Sequence, residues 1–508
     1  MTSEAAMMPM TPNEIAEATG GALIHVQPGF DPDRPVATSA VSDSREAGEG
    51  SVFVAIAGER VDGHDFLADV AARGAVCALV GHEVDAPITQ ILVPDTVEAL
   101  GLLARHNLER RRAEADPFTI VGITGSVGKT TTKDLLKALL GELGPTVAPF
   151  GSFNNEIGLP LTALKVGAST RFLVAEMGAN HVGEIARLTT IAPPDIAVVL
   201  KVGCAHLGEF GSVERIAQAK SEIVRGLVAD GTGVLNADDA HVAAMEPLVP
   251  GDVLWFGIDP DHAHPGELTA RNIGQDATDH PYFDMTDGTE TVHVTLGIRG
   301  EHNVMNALAA ASVARRCGLG LANIARVLGE QTHISAHRMA VSTVTRDGVS
   351  FTLIDDSFNA NPDSMRAGIN ALASWGKTAR EPQTEQAQAA GPYRIAVLGA
   401  MLELGGDEGE LHRGIGADAV RAGIDAVIAV SSANDPHLDA LAADLVQGAR
   451  DESAADGSGA TVELAHGADE ADHLATDLVR NHANALVLLK GSHASGLSAL
   501  ASRWNPTA

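Results

Sequence analysis

Short apolar segments alternate with segments of helix length in the middle of the chain. Between residues 117 and 334, apolar runs occur at 118–124, 172–176 and 196–202, and a helix-length segment at 133–140 follows the first of them. This alternation is typical of a parallel sheet whose strands are connected by crossover helices. It predicts a central, mostly parallel α/β sheet with flanking helices.

The same alternation resumes after residue 338 and predicts a second open α/β domain of the Rossmann-like class. Its strands are expected at residues 351–354, 395–398, 426–430 and 485–489. Two polar segments in this half, 378–392 and 450–472, are rich in Ala, Gln, Glu, Asp and Gly. We expect both to be mobile surface insertions.

The amino-terminal part of the chain predicts a small α/β unit. A helical opening at 12–20 precedes short apolar runs at 51–56 and 77–80. A charged stretch at 109–116 then ends in Pro117, directly before the first central strand, and we interpret it as a linker between domains. The prediction is a three-domain α/β protein divided into residues 1–114, 115–334 and 335–508.

The composition narrows the class of protein. A chain of 508 residues exceeds what one hydrophobic core usually organises. The net charge of -31 argues against a protein that mainly neutralises nucleic-acid phosphates. Its three cysteines are far apart and form no CxxC pair, which fits neither a disulfide framework nor a zinc site. Since the chain shows no signal-like segment and no apolar run long enough to span a bilayer, we expect a cytoplasmic protein.

A glycine-rich segment, GITGSVGKTT at residues 122–131, lies between the first central strand and the next helix. Glycines allow backbone N–H groups to converge on phosphate oxygens, and the helix start adds the positive end of its dipole. Lys129 is placed to neutralise phosphate charge, and the Thr130 hydroxyl is a candidate magnesium ligand. The first glycine of the GxxxxGK[ST] pattern would fall at Ile123, so the spacing is not the standard one. The predicted phosphate-binding residues are Gly125, Ser126, Val127, Gly128, Lys129, Thr130 and Thr131.

Three residues beyond this loop are candidates for a divalent-cation site. Glu176 ends an apolar strand, at the sheet edge where open α/β folds place their ligand groups. His206 follows the next strand at the same edge, although a single loop histidine is more often a surface or capping residue. Lys220 would ordinarily be a solvated helix lysine, and magnesium ions would favour an anion near them.

The segments around these candidates resemble the Mur ligase family. EMGAN at 176–180, VGCAHL at 202–207 and AKSEI at 219–223 occur in the order and approximate spacing of the family's central motifs. The resemblance implies a three-domain ligase that uses ATP and Mg²⁺. It also implies that the glutamate and the histidine bind magnesium and that carbon dioxide carbamylates the lysine, which makes it an anion.

The resemblance assigns roles to residues along the chain. It implies that Glu176, His206 and Lys220 complete a metal site with Thr130 of the glycine-rich loop. The catalytic set is then Lys129, Glu176, His206 and Lys220. It implies ATP contacts by Asn303, Arg338 and Asp356, although Asn303 is also a candidate helix N-cap and Arg338 a candidate for a boundary salt bridge.

Further motifs resemble the substrate-binding parts of the family. DSR at 43–45, GE at 58–59 and DGH at 62–64 resemble its UDP-binding domain, although such triplets are more often capping or turn residues. GSFNNEIGLP at 151–160 resembles its substrate-contact loop. The implied substrate contacts are Ser44, Arg45, Asn154, Asn155, Asn359, Asn361 and Lys490.

The carboxyl-terminal motifs resemble one branch of the family. DDSFNANPDSM at 355–365, VLGAMLELG at 397–405 and KGS at 490–492 are similar to the branch that adds D-alanyl-D-alanine to UDP-N-acetylmuramoyl-tripeptide. Phe358 stands where that branch usually has tyrosine, and Ala400 where it has aspartate. The DNPR motif of the enzyme that adds the third residue is absent.

The expected reaction activates the tripeptide carboxylate as an acyl phosphate, which the dipeptide amine then attacks. A sister Mur ligase or folylpolyglutamate-type ligase with another acceptor is the nearest alternative. A P-loop kinase that forms no amide bond is an alternative of another class. We expect a monomer that contacts neither nucleic acid nor membrane.

Overall fold

Three sheets follow one another along the chain in the computed structural model. The structure describes residues 6–58, 61–203, 207–262, 264–276, 278–332, 334–335, 337–346, 348–375, 391–432, 435–482 and 484–505. The three sheets and their flanking helices form the mixed α/β architecture that the sequence predicts. No helix within these ranges combines the length and the apolar character needed to cross a bilayer.

The first sheet has five strands in the order β1-β5-β4-β3-β2. They are β1 (Ala22–Ile24), β2 (Ser39–Val41), β3 (Ser51–Val54), β4 (Cys77–Val80) and β5 (Thr89–Leu92), with helices α1 (Pro12–Thr19), α2 (Leu67–Ala72) and α3 (Thr96–Ala113). Only β1 pairs antiparallel; the other pairs of this sheet are parallel. Helix α1 begins at a capping box formed by Thr11 and Glu14 and ends at Gly20, whose positive φ suits glycine.

The second sheet has nine strands in the order β14-β13-β12-β11-β10-β9-β6-β8-β7. They are β6 (Thr119–Thr124), β7 (Thr146–Val147), β8 (Phe172–Glu176), β9 (Ile196–Val199), β10 (Thr232–Asn236), β11 (Val253–Gly257), β12 (Leu268–Gln275), β13 (Pro281–Thr286) and β14 (Thr291–Thr295). Its helices are α4 (Lys129–Gly141), α5 (Gly158–Ala163), α6 (Glu184–Ile191), α7 (Leu207–Phe210), α8 (Val213–Arg225), α9 (Ala240–Ala243), α10 (Asn303–Arg316) and α11 (Leu321–Glu330).

The second sheet is parallel from β7 to β12 and antiparallel only in its last two pairings. Strands β8 and β9 are buried along their whole length, as expected for strands covered by helices on both faces. Consequently the carboxyl ends of β6, β8 and β9 meet at one edge, where polar side chains can converge.

The third sheet has six strands in the order β15-β16-β20-β17-β18-β19. They are β15 (Ala340–Arg346), β16 (Val349–Asp356), β17 (Arg394–Gly399), β18 (Ala426–Val430), β19 (Thr461–Ala465) and β20 (Leu486–Lys490), with helices α12 (Pro362–Ser374), α13 (Glu408–Arg421), α14 (Pro436–Asp456), α15 (Ala468–Asn481) and α16 (Leu497–Trp504). Only β15 is antiparallel to its neighbour.

The charged stretch at 109–116 is not a plain linker. Its first half forms the end of α3, and Arg111 is only 1% exposed. The Arg111 guanidinium donates to the carbonyl oxygens of Thr170 at 2.9 Å, Asp116 at 3.0 Å and Pro117 at 3.1 Å. These bonds replace the water that a charged side chain normally requires, so the stretch joins the first and second sheets instead of separating them.

The polar segment 450–472 is not a surface insertion either. It forms the end of α14, all of β19 and the start of α15. Ala465 and Ala471 lie in the core beside the third sheet, whereas Ala454 and Ala455 at the end of α14 are exposed. The many polar residues between them were therefore a poor guide to its position. Most of the other predicted insertion, its residues 378–390, lies outside the described residues.

Candidate functional site

The glycine-rich loop leads from β6 into α4, and Lys129 is the first residue of that helix. Gly128 has a φ of +85°, and a Cβ at this position would lie 2.3 Å from Asn306 Oδ1, so only glycine fits. The Lys129 ammonium donates to the Gly125 carbonyl oxygen at 2.7 Å. Burial lowers the pKa of Lys129; the Glu176 carboxylate opposes this effect and the Arg338 guanidinium adds to it. The loop thus presents a helix N-terminus and a half-buried cation to one point.

Glu176 ends β8 beside this loop. Its Oε1 accepts hydrogen bonds from Thr130 Oγ1 at 3.3 Å and from Asn154 Nδ2 at 2.9 Å. Its Oε2 is buried and has no hydrogen-bond partner among the described residues. A buried carboxylate oxygen without a partner is costly, and a divalent cation would remove that cost. The donor set of Thr130 and Glu176 therefore fits a magnesium ion.

Lys220 lies on α8 and is 3% exposed, although the sequence alone allowed a solvated lysine. Burial lowers its pKa to about 7, and the charge of Lys129 acts in the same direction. Two residues further along α8, the Glu222 carboxylate accepts from Gly183 N at 2.7 Å and Ala186 N at 2.9 Å, and so binds the start of α6. Lys220 is therefore held on a fixed helix with much of its amine uncharged near neutral pH.

His206, the remaining predicted metal ligand, lies outside the described residues. The residues that lead to it are attached to the same site. Gly203 N donates to Ser126 Oγ at 2.9 Å, and Val202 N donates to Asp239 Oδ2 at 2.8 Å. The role of His206 stays a prediction.

The carboxyl-terminal part forms the opposite wall. Asp356 and Lys490 end the neighbouring parallel strands β16 and β20 and face each other in register. Lys490 Nζ donates to Asp356 Oδ2 at 2.6 Å and to the Asn359 carbonyl oxygen at 3.2 Å, and Lys490 is 1% exposed. Asn361 caps α12 by accepting from Ser364 N at 2.9 Å. This wall is an ion-paired and capped surface.

Arg338 joins the two walls. Its Nη2 donates to Ser152 Oγ at 3.0 Å and, at 3.5 Å, to Thr130 Oγ1. Its guanidinium carbon lies 4.5 Å from the centroid of the Phe358 ring, a cation–π contact. Among the described residues, its hydrogen bonds go to hydroxyl groups, and the boundary salt bridge considered from the sequence is not observed.

Asn303 is the first residue of α10, not its N-cap, which is His302. The Asn303 side chain donates to the Arg299 carbonyl oxygen at 2.6 Å and accepts from Asn306 Nδ2 at 2.8 Å. Asn306 in turn accepts from Thr132 Oγ1 at 3.4 Å and lies against Gly128. A buried amide pair therefore links α10 to the phosphate loop.

These residues surround a cavity of about 1220 Å³ between the second and third sheets. The predicted residues that line it are Ser126, Val127, Gly128, Lys129, Thr130, Thr131, Asn154, Asn155, Glu176, Lys220, Asn303, Arg338, Asp356, Asn359, Asn361 and Lys490. Gly125 does not line it, but its carbonyl oxygen accepts a hydrogen bond from the Lys129 ammonium. One cavity thus collects residues from both halves of the predicted site.

Ser44 and Arg45 do not line this cavity. Asp43 caps the short 3-10 helix Ser44–Glu46, and the Asp43 carboxylate pairs with the exposed Arg45 guanidinium at 2.6 Å. The hydrogen bonds from Arg45 lower the pKa of Asp43 to about 2. The capping interpretation of this triplet is confirmed, and a substrate contact by Ser44 or Arg45 stays a prediction.

Two cavity residues that bond predicted site residues, Ser152 and Asn306, were assigned no role from the sequence. Ser152 bonds both Thr130 and Arg338, yet only its neighbours were selected. Asn306 could have been found, because an N-x-x-N spacing places Asn303 and Asn306 on the same face of a helix. No sequence signal separates Ser152 from the other polar residues of its loop.

Comparisons with known proteins agree along most of the chain. Residues 123–314 match the Mur ligase middle domain, residues 337–493 the Mur ligase glutamate ligase domain, and residues 39–107 the Mur ligase family catalytic domain. The UDP-N-acetylmuramoyl-tripeptide--D-alanyl-D-alanine ligase of Mycobacterium tuberculosis is 40% identical, over 97% of each chain. The ligase of the same name from Escherichia coli is 35% identical, over 77% of this chain and 81% of its own.

Solved structures agree with these sequence matches. A crystal structure of MurF from Acinetobacter baumannii has a TM-score of 0.79 and 30% identity, and covers 98% of this chain and 99% of its own. MurF ligase from Thermotoga maritima in complex with ADP has a TM-score of 0.71 and 28% identity, over 92% of this chain and 96% of its own.

Proposed function

This chain belongs to the Mur ligase family, and from that premise we propose that its cavity binds ATP beside the carboxylate to be activated. The chain is an ATP-dependent, amide-forming ligase of peptidoglycan precursor synthesis that joins D-alanyl-D-alanine to UDP-N-acetylmuramoyl-tripeptide. The observation that carries the proposal is the convergence of Lys129, Glu176, Lys220, Arg338 and Lys490 on one cavity. They do so in a chain 40% identical, over 97% of its length, to a ligase of that name.

ATP is required because a carboxylate does not react with an amine near neutral pH. The terminal carboxylate of the tripeptide attacks the γ-phosphorus of ATP, which gives an acyl phosphate and ADP. The dipeptide amine then attacks the acyl carbon, forming a tetrahedral intermediate. Collapse of that intermediate releases inorganic phosphate and a proton and leaves the new amide bond.

The residues of this chain position the groups and neutralise charge, since phosphoryl transfer offers a protein little covalent chemistry. Residues 125–131 would direct backbone N–H groups at the phosphates, and Lys129 would balance the charge on the transferred group. Arg338 reaches the same point from the linker between the second and third sheets. Asn303 and Asp356 line the cavity where the nucleoside would lie, and the enclosing walls would keep water from the acyl phosphate.

Magnesium, when bound, would neutralise phosphate oxygens, and Thr130, Glu176, His206 and Lys220 are the residues we propose for it. Glu176 supports this assignment because its buried Oε2 has no partner among the described residues. Lys220 supports it because only a neutral amine adds to carbon dioxide, and burial lowers its pKa to about 7. The resulting carbamate would supply the anion that a magnesium site favours.

The substrates divide between the three parts of the chain in our proposal. Residues 1–114 would bind the UDP portion with Ser44 and Arg45, and residues 115–334 would bind ATP and, through Asn154 and Asn155, the tripeptide. Residues 335–508 would hold the dipeptide with Asn359, Asn361 and Lys490. We further infer a cytoplasmic protein, because both ATP and a UDP-linked precursor must be supplied to the same site. We propose a monomer, because this one chain supplies residues from both walls of the cavity.

Phosphate release measured with purified enzyme tests this function. We expect release only when ATP, the UDP-linked tripeptide and D-alanyl-D-alanine are all present, with an amide product of matching mass. Release without the dipeptide would favour a kinase or an ATPase, and release with another amino acid would favour a sister ligase. Either outcome would overturn the proposed specificity.

A further inference from the structure

Lys133 is a buried cation that the reaction described above does not use. It lies one turn after Lys129 on α4 and is 1% exposed. Its ammonium donates to the carbonyl oxygens of Pro149 at 3.0 Å and Gly151 at 3.2 Å, and to Ser335 Oγ at 3.0 Å. Together with the Asp134 carboxylate, these acceptors surround the ammonium with four oxygen atoms.

Asp134 completes this arrangement. Its Oδ1 lies 2.7 Å from Lys133 Nζ, and its Oδ2 accepts from the backbone N–H of Ser335 at 2.7 Å. Both the side chain and the backbone of Ser335 are therefore fixed to α4. The pair joins three segments: the helix that begins with the phosphate-loop lysine, the loop at 149–151, and the linker that leads to the third sheet.

Each joined segment carries a residue that meets the others in the cavity. Ser152 follows the loop directly, Arg338 lies three residues after Ser335, and Thr130 lies three residues before Lys133. Arg338 Nη2 reaches Ser152 Oγ at 3.0 Å and Thr130 Oγ1 at 3.5 Å. The linker is held on its other side as well, because His337 Nδ1 lies 2.7 Å from Asp355 Oδ2 on β16.

We propose that Lys133 and Asp134 are positioning residues that hold the interdomain linker against α4, so that Arg338 reaches the transferred phosphate. The effect on catalysis rests on the proposed function, whereas the attachment of the linker to α4 does not. Without the pair, the hydrogen bonds of Ser335 and of residues 149–151 are lost together. Arg338 then loses its fixed distance to Ser152.

Steady-state kinetics of Lys133→Met test the catalytic part, with Lys137→Met as the matched control, because Lys137 is exposed on the same helix. We expect kcat to fall about 10- to 100-fold, as for a misplacement of about 1 Å, with the KM for ATP nearly unchanged. In an Arg338→Ala background, Lys133→Met should lower kcat only a little further. Losses that multiply in the double variant would show that Lys133 does not act through Arg338.

Two further measurements keep the inference testable if Lys133→Met folds poorly or the wild type lacks ligase activity. Ser335→Ala removes one bond of the ammonium and should lower kcat about fivefold, the effect of one hydrogen bond. Small-angle X-ray scattering should give a larger radius of gyration for Asp134→Ala and Ser335→Ala than for the wild type and Lys137→Met. Equal radii would overturn the proposed attachment of the linker to α4. An inactive wild type would overturn only the proposed function.

Discussion

The two walls of the cavity differ in whether their lysines form ion pairs. On the wall of the second sheet, the lysines Lys129 and Lys220 have lowered pKa values, and neither forms an ion pair within the described ranges. The Glu176 Oε2 on that wall also lacks a partner there. On the wall of the third sheet, Lys490 is as buried as Lys220 and more buried than Lys129, but it is paired with Asp356 at 2.6 Å.

This difference shows which wall is built for charged ligands. Burying an unpaired charge costs free energy. Bound phosphates and cations would lower that free energy on the wall of the second sheet, because they would pair with Lys129, Lys220 and Glu176. On the wall of the third sheet, the charges of Lys490 and Asp356 already neutralise each other. We therefore expect substitutions of lysine to act mainly on catalysis at the first wall and mainly on stability at the second.

Lys129→Met should produce the largest loss of activity among these variants. A small loss would contradict the proposed difference between the two walls. Removal of the phosphate-loop cation should lower dipeptide-dependent phosphate release on the order of 1000-fold, the upper range for one charge-stabilising donor. Its midpoint of chemical denaturation should stay equal to that of the wild type or rise, since a half-buried cation without an ion-pair partner among the described residues is removed. A variant that loses stability instead would place Lys129 with the paired charges.

Lys490→Met should destabilise the protein by about 3 kcal/mol, because it leaves the largely buried carboxylate of Asp356, 14% exposed, without its partner. Urea denaturation followed by fluorescence would measure the loss. The matched control is the double variant Lys490→Met with Asp356→Leu, in which both charges are absent and much of the stability should return. No recovery in the double variant would mean that packing, and not ion pairing, accounts for the contribution of Lys490 to stability.

Lys220→Met should sharpen the comparison through its dependence on pH. Burial lowers the pKa of Lys220 from 10.5 to about 7, so between these values the unfolded chain holds a proton that the folded protein has released. The free energy of unfolding of the wild type, relative to Lys220→Met, should therefore rise with pH across this window and stay constant below it.

Denaturation in metal-free buffer depleted of carbon dioxide measures this difference. At pH 7 we expect Lys220→Met to be at least as stable as the wild type, with the gap narrowing towards pH 10. A difference that does not change with pH would contradict the lowered pKa.

Phe358→Leu should have the smallest effect, because it removes only the ring that lies 4.5 Å from the Arg338 guanidinium. A partly exposed cation–π contact contributes about 0.5–1 kcal/mol, so kcat should fall roughly two- to fivefold. Phe358→Tyr keeps the ring and should retain wild-type kcat. Equal losses in both variants would show that Arg338 does not depend on the ring.

Much of the fold was predictable because it follows from local patterns. The strand at 172–176 coincides with β8, and the first central strand differs from β6 only in its first residue. The central sheet edge was also predictable, since parallel strands bring Glu176 and the glycine-rich loop to the same side. The helix after the loop begins at Lys129, four residues earlier than predicted, because Gly128 turns the chain directly into it.

The sequence by itself determined the order of most strands along the chain, the phosphate loop and the family, because periodicity and glycine-dependent turns are properties of neighbouring residues. Only the tertiary structure decided which charges are paired. Lys490 meets Asp356 across 134 positions, and Lys133 meets Ser335 across 202. Such contacts depend on how separate sheets and linkers pack, and a lysine that looks solvated in the sequence becomes buried, paired or unpaired only when that packing is complete.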